Sequence, residues 1–284
     1  MSPLAARTLS LCADDFGLAP GISAGIAKLA RAQRLTAISC ITNTEYWAAS
    51  AKLLENLPAS VDVGLHINLT QGRPLSARLA KIWPRLPALP VLIVRAYMGW
   101  LPRAALHGEI QAQLAAFREA TGATPNFIDG HQHVHHLPGL RGIVLDLAEH
   151  LHPTPAVRNT GRVLGSGFGV KRWLIENTGA HVLARELSGR ALAHNPALLG
   201  VYDFRDPRYR SRMQGWLAAL PGAGGLLFCH PGESLAGDPP DAIGAARLRE
   251  LAYLDSDAFP RDLAAANVTL GRVWRINGAP PPTR

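Results

Sequence analysis

The sequence predicts an α/β chain folded as one distorted, TIM-barrel-like (β/α) barrel of about seven or eight parallel strands. Three observations predict it. Apolar runs of strand length alternate with runs of helical periodicity. The connections between them are short, as βαβ units require. No linker divides the chain, so residues 1–284 read as a single domain. A chain of 284 residues that is 48% hydrophobic can bury one large core.

The elements follow in order. "RTLSLCA" (7–13) is a short apolar run ending in two acids, a first strand. "GISAGIAKLARAQ" (21–33) places Ile22, Ile26 and Leu29 on one helical face. "LTAISCITN" (35–43) reads as a buried strand. "EYWAASAKLLENL" (45–57) reads as a helix with Thr44 as its N-cap. "VDVGLHINLT" (61–70) is a third strand. "RAALHGEIQAQLAAFREATG" (103–122) is a long helix that Gly122 stops. "NFIDG" is a strand, "LRGIVLDLAEHL" a helix and "PAVRN" a strand. The chain closes with a helix in "PRYRSRMQGWLAAL", a strand in "GGLLFCHPGE", a helix in "AARLRELAYL" and a strand in "ANVTLGRVWR". Residues 277–284 read as a frayed tail.

One segment breaks the rhythm. Residues 73–102 carry five prolines together with Trp83, Tyr97 and Trp100. Two readings stand side by side: an extra helix packed on the barrel rim, or a lid whose rings stack on a sugar or cover a lipid.

Composition narrows the function. The formal charge is +8, from 29 Lys+Arg against 21 Asp+Glu. It suits an ordinary basic soluble protein, and after that an anionic ligand or membrane surface. No interleaved basic and aromatic pattern of a nucleic-acid binder is present. Cys12, Cys40 and Cys229 are odd in number, far apart and within strand-like runs. Buried thiols in a reducing compartment are expected, and with no signal-like or 18-residue apolar run the expectation is cytoplasmic.

Parallel β/α folds carry chemistry at the C-terminal ends of their strands. Four such ends here hold reactive side chains: Asp14-Asp15; His66, followed by Asn68; Asp129-Gly130-His131; and His230, followed by Glu233. A lone histidine in a strand is usually a bonded core residue, and a lone acid pair is usually a turn. Four endings on one face point to a divalent-metal site. Imidazoles and a carboxylate suit zinc, iron, cobalt or manganese and leave positions open for water and substrate. One of the paired acids can bind the metal while the other faces the attacking water as general base. The residues alone leave open which is which. The run "HQHVHH" (131–136) holds four of the chain's eleven histidines. His131, at the strand end, is the best ligand among them. His133, His135 and His136 are expected to line the mouth, support the ligands or bind substrate hydroxyls.

These residues carry a resemblance. "ADDFGLAPGISAGI", "VGLHINLT", "FIDGHQHVHHLPG" and "FCHPGE" occur in this order, and together they resemble the YdjC-like carbohydrate deacetylases of the chitooligosaccharide and hopanoid-associated type. The resemblance runs from about residue 8 to 234. It implies a distorted barrel that removes N-acetyl groups from sugars with one divalent metal, magnesium or zinc foremost and manganese or cobalt next. It maps the metal ligands onto Asp15, His66 and His131, the general base onto Asp14, and the acid or orienting group onto His230. Gly130 departs from the Ser or Ala of many members. Asn68, His133, His135, Trp83, Trp100 and Glu233 are substrate candidates. The apolar 73–102 segment and the positive charge suit a lipid- or nucleotide-linked amino sugar. Rival readings are a phosphoesterase or amidohydrolase on the same barrel and a non-catalytic sugar-binding homologue. A homodimer through rim helices is expected only by analogy with other barrels.

Overall fold

The computed structural model describes residues 5–165 and 169–279. The expected tail at 277–284 therefore lies, from 280 onward, outside the described residues.

The first strand, β1 (Arg7–Phe16), is buried along nearly its whole length. An apolar run without alternation is what a parallel strand covered on both faces requires. Next come α1 (Pro20–Arg31), β2 (Ala37–Cys40), a short α2 (Trp47–Ala51) and β3 (Asp62–Ile67). The 73–102 segment forms α3 (Ala77–Ile82) and α4 (Leu89–Tyr97). Then follow α5 (Arg103–Thr121), β4 (Phe127–Gly130), α6 (Arg141–His150), β5 (Ala156–Val157), α7 (Gly169–Ile175), α8 (His181–Gly189) and β6 (Leu198–Leu199). The chain ends with α9 (Tyr209–Ala219), β7 (Gly225–Cys229), α10 (Gly244–Asp255), α11 (Ala258–Ala265) and β8 (Val268–Leu270).

The sheet runs β5-β4-β3-β2-β1-β7-β6, with β8 against β1, and every pair is parallel. It curls as the predicted barrel does, but its ladder is open between β5 and β6. There, irregular bonds replace strand pairing. Asn195 Oδ1 accepts the Asn159 N–H at 2.7 Å, its Nδ2 donates to Asn159 O at 2.9 Å, and Val163 bridges Leu198. Among the described residues no helix is long and apolar enough to cross a membrane.

Several local expectations change. Thr44 does not cap a helix: its hydroxyl donates to Gly17 O, and the 45–57 helix shortens to α2 plus one 3-10 turn, Lys52–Leu54. "PAVRN" gives only two strand residues, and "ANVTLGRVWR" only three. α7, α8, β6 and α11 had no sequence expectation. The 73–102 segment is anchored from beneath, where buried Glu109 accepts the N–H groups of Leu75 and Ser76 at 3.0 and 2.7 Å. Trp83 is buried, and the Arg95 guanidinium lies 5.0 Å above its ring.

Candidate metal centre and active site

The site begins with a break in β1. In a regular strand, Asp14 and Asp15 would point to opposite faces. Asp15 instead takes φ 70°, and the register with β2 shifts between Ala13 and Phe16. A left-handed residue at a bulge cancels the alternation, and aspartate tolerates that conformation better than most side chains. Both carboxylates therefore face one cavity of about 470 Å³. His66, His131, His133 and His230 line the same cavity, whose size is in the range of small-molecule sites.

Asp15, His66 and His131 meet. Their ligand atoms lie within 4.8 Å of one another, and His131 Nδ1 is 2.8 Å from Asp15 Oδ1. The other Asp15 oxygen accepts from Arg247 Nη2 at 2.7 Å. Burial works against the Asp15 charge, yet His131 and Arg247 hold its carboxyl well below the usual carboxylate range. His66 is braced from behind. Its Nδ1 lies 2.7 Å from Asp129 Oδ1 and 2.9 Å from Ser39 Oγ, which leaves Nε2 toward Asp15 at 3.5 Å. A carboxylate behind one ring nitrogen fixes the tautomer and frees the other nitrogen as a ligand. Burial opposes charging of His66, but Asp129 and Asp14 push it up to about 10. The same negative field favours a bound dication. Two imidazole nitrogens and one carboxylate oxygen thus fit a divalent ion.

Asp14 has a different partner. Arg158 grips it with both terminal nitrogens, Nη1 to Oδ2 at 2.7 Å and Nη2 to Oδ1 at 2.6 Å. The same Nη2 is 2.6 Å from Asp129 Oδ2 and donates to Cys12 Sγ at 3.1 Å. Cys12, Asp14 and Asp129 also have metal-type donors close together, but the fully buried Arg158 already supplies their positive charge. A forked, two-point contact sets the carboxylate plane as well as its charge balance. Arg158 was hidden in "PAVRN". A charged residue inside a strand-like run was the signal that could have found it. Arg247 had no such signal.

His230 leaves the end of β7 at the cavity wall. Its main-chain N–H donates to buried Glu250 Oε2 at 2.6 Å, and Tyr202 donates its hydroxyl to the other oxygen. Burial pushes the Glu250 carboxyl up to about 7, against the pull of Tyr202 and the His230 N–H. The His230 ring is flanked edge-on by Phe204 and Phe228 at 5.1 and 5.6 Å.

The histidine run divides. Gln132 and His133 take left-handed φ values of 53° and 62°, and His133 reaches the cavity. His135 is buried behind it with Nε2 2.9 Å from Arg158 O, and burial pushes it down to about 4. His136 touches the cavity but is pinned between Thr160 and Thr178, each 2.9 Å away. Gly130 has an extended backbone, so its φ does not demand glycine. A Cβ there would meet His135 N at 2.9 Å, so proximity does.

Four substrate candidates are not brought to the cavity wall besides His135. Asn68 is consumed by its own turn, accepting from Thr70 N and Gln71 N at 3.1 Å and donating to Gln71 O at 2.8 Å. Trp83 is core. Trp100 faces solvent at 64% exposure. Glu233 bonds Gly21 O through its N–H and packs against α1. The cavity wall the sequence left unread is apolar: Leu89, Ile93, Leu174, Ile175, Phe204 and Phe228.

Comparison with known proteins gives a consistent result. The family model described as YdjC-like protein matches residues 8–265. A human carbohydrate deacetylase is 31% identical over 294 residues, covering 92% of this chain and 88% of its own length. A chitooligosaccharide deacetylase of Proteus mirabilis is 34% identical over 151 residues, and that match covers 51% of this chain and 56% of the relative. A solved protein of Enterococcus faecalis V583, named for cellobiose-phosphate cleavage, superposes with TM-score 0.70 over 95% of this chain and 98% of its own. At 18% identity that likeness speaks for the fold alone.

Proposed function

The chain belongs to the YdjC-like protein family, and from that premise we propose that it is a metal-dependent hydrolase that removes the N-acetyl group from an amino sugar. The observation that carries this reading is the split of the adjacent acids: Asp15 toward His66 and His131, Asp14 toward Arg158. The relatives named as carbohydrate and chitooligosaccharide deacetylases support the substrate class.

In this reading Asp15, His66 and His131 hold one divalent ion, with zinc or magnesium ahead of manganese and cobalt. Such an ion supplies Lewis acidity toward the amide carbonyl and the attacking water. Asp14 accepts the water proton at a carboxylate oxygen while Arg158 holds the carboxylate plane still. Water adds to the acetyl carbon, the C–N bond breaks, and acetate and a free amine leave. His230 delivers the proton that the amine nitrogen needs. Glu250, gripping the His230 main chain, keeps that ring at the cavity wall. Phe204 and Phe228 limit water around it.

The apolar wall of Leu89, Ile93 and Leu174 supports a substrate whose sugar carries an apolar, lipid-like group. The 73–102 segment then acts as one wall of the site, which makes it the lid of a single catalytic domain. A cytoplasmic location goes with this reading, since Cys12, Cys40 and Cys229 are free and buried.

Acetate release from N-acetylated sugars, soluble and lipid-linked, tests the reading. Release that depends on added metal and disappears in His66→Ala and His131→Ala is the expected result. Release that survives in both variants refutes the site. If Leu89→Ser/Ile93→Ser raises KM equally for soluble and lipid-linked sugars, the apolar-group part of the reading fails.

A further inference from the structure

α4 presents three sides. Leu92 and Ala96 enter the core, while Leu89 and Ile93 line the cavity. The third side, Val91, Val94 and Met98, is open to solvent, at helical spacing on one face. Tyr97 and Trp100 continue it, with Trp100 at 64% exposure. Across the mouth, α7 exposes Trp173 and Leu174, and Leu174 also lines the cavity. α4 is tied to the turn that follows α7, since the Tyr97 hydroxyl donates to Asn177 O at 3.0 Å. Exposed aliphatic and aromatic side chains thus form a rim continuous with the site. Clusters of this kind on a folded chain mark an interaction surface.

Charge selects the partner. Residues 73–108 hold Arg73, Arg78, Lys81, Arg85, Arg95 and Arg103, and no acid. The chain as a whole has 29 bases to 21 acids, so a run of six to none is a local feature and not the general composition. Tryptophan and tyrosine beside arginine and lysine suit the boundary between lipid headgroups and acyl chains. A second copy of this chain would bring two such basic segments together, which repulsion opposes. We infer that the α4–α7 rim docks on an anionic phospholipid surface, with the cavity mouth facing the membrane. The inference goes beyond the deacetylase reading, since it concerns a face outside the metal centre and needs no substrate.

The test is co-sedimentation of the full chain with vesicles of phosphatidylcholine alone and of phosphatidylcholine with phosphatidylglycerol. The chain is expected to pellet with the anionic vesicles only. It should be released when salt rises from about 0.15 M to 1 M, which shortens the screening length from about 8 to 3 Å. Each cation near an anionic surface is worth about five-fold in partitioning, so Arg78→Gln/Lys81→Gln/Arg85→Gln should bind on the order of a hundred-fold more weakly. Trp100→Ala/Trp173→Ala should lose about ten-fold or more through lost apolar burial. Unchanged thermal midpoints would show that the variants are folded. Three outcomes overturn the inference: equal binding to neutral vesicles or none to either, binding that both variants retain, or a lipid-free dimer that Trp100→Ala dissolves. Vesicle binding is read without turnover, so failure here would leave amide hydrolysis standing, and an inactive chain would leave the docking standing.

Discussion

Asp14 and Asp15 leave the same strand end and enter two clusters that differ in what balances their charge. Around Asp15 the neighbours are His66 and His131, whose ring nitrogens both approach Oδ1, and Arg247, which holds only Oδ2 at 2.7 Å. Around Asp14 they are Asp129 and Cys12, equally good metal donors by type, yet Arg158 sits between them with contacts of 2.6 to 3.1 Å. Donor type and spacing alone do not make a metal site. Arg158 spans both acids of its cluster and sits between them, whereas Arg247 holds only Asp15 Oδ2 and leaves Oδ1 facing His66 Nε2 and His131 Nδ1, where an ion can be held. On that difference we propose the ligand role for Asp15 and proton transfer for Asp14.

The largest effect that can break the comparison is on turnover. Asp14→Asn should cost about 10²–10⁴ in kcat, the usual cost of losing a general base. Steady-state acetate release reads it, and near wild-type turnover would move the base elsewhere. Next is the stability of the arginine cluster. Arg158→Met leaves Asp14 and Asp129 buried without their cation, which should cost about 3–5 kcal/mol. Denaturant unfolding at neutral pH measures this, and a loss within experimental scatter would mean the guanidinium is not what balances the two acids. Smaller still is the brace behind His66. Asp129→Asn should weaken metal affinity about 10–100-fold through the lost partner of Nδ1. Calorimetric titration of zinc reads it, and unchanged affinity would detach Asp129 from the ligand set.

A fourth buried acid, Glu250, sharpens the contrast with the smallest effect. Burial works against the charge of both Asp129 and Glu250. Arg158 and His66 pull Asp129 below its ordinary range, whereas Glu250, partnered by the Tyr202 hydroxyl and the His230 N–H, is pushed up to about 7. Its folded pKa is raised above the unfolded value, so the native state holds this proton more tightly. The associated stability is fully present below about pH 4.3 and is lost as pH rises through about 7. Glu250→Gln should therefore gain in Tm relative to the parent protein as pH rises across that window. A constant difference in Tm would contradict the assignment.

Much of this was legible in the sequence. The strand ends carrying Asp14-Asp15, His66, His131 and His230 were readable because each closes an apolar run, and parallel sheets gather such ends at one edge. The parts that escaped depend on packing between distant segments. Arg158 lies one residue beyond a two-residue strand, in a chain where arginine is common. It continues the β5 ladder, with its N–H on Ile128 O, and its side chain reaches Asp14 at the end of β1. Arg247 sits inside an amphipathic helix, where a basic residue reads as surface, yet it is 3% exposed and reaches Asp15. Asn68 and Trp83 misled in the opposite sense. Their types suit sugar binding, but a turn consumes one and the core takes the other. No element was read from the stretch that forms α7, α8 and β6, where β6 is a two-residue strand held by β7 and the Val163 bridge.

The most direct test of the division between the two acids is metal affinity in Asp14→Asn and Asp15→Asn, measured by titrating zinc into metal-stripped protein. The account predicts that Asp15→Asn loses high-affinity binding while Asp14→Asn retains close to one ion per chain with little change in affinity. Retained binding in Asp15→Asn, or its loss in Asp14→Asn alone, would contradict it and exchange the roles of the two aspartates.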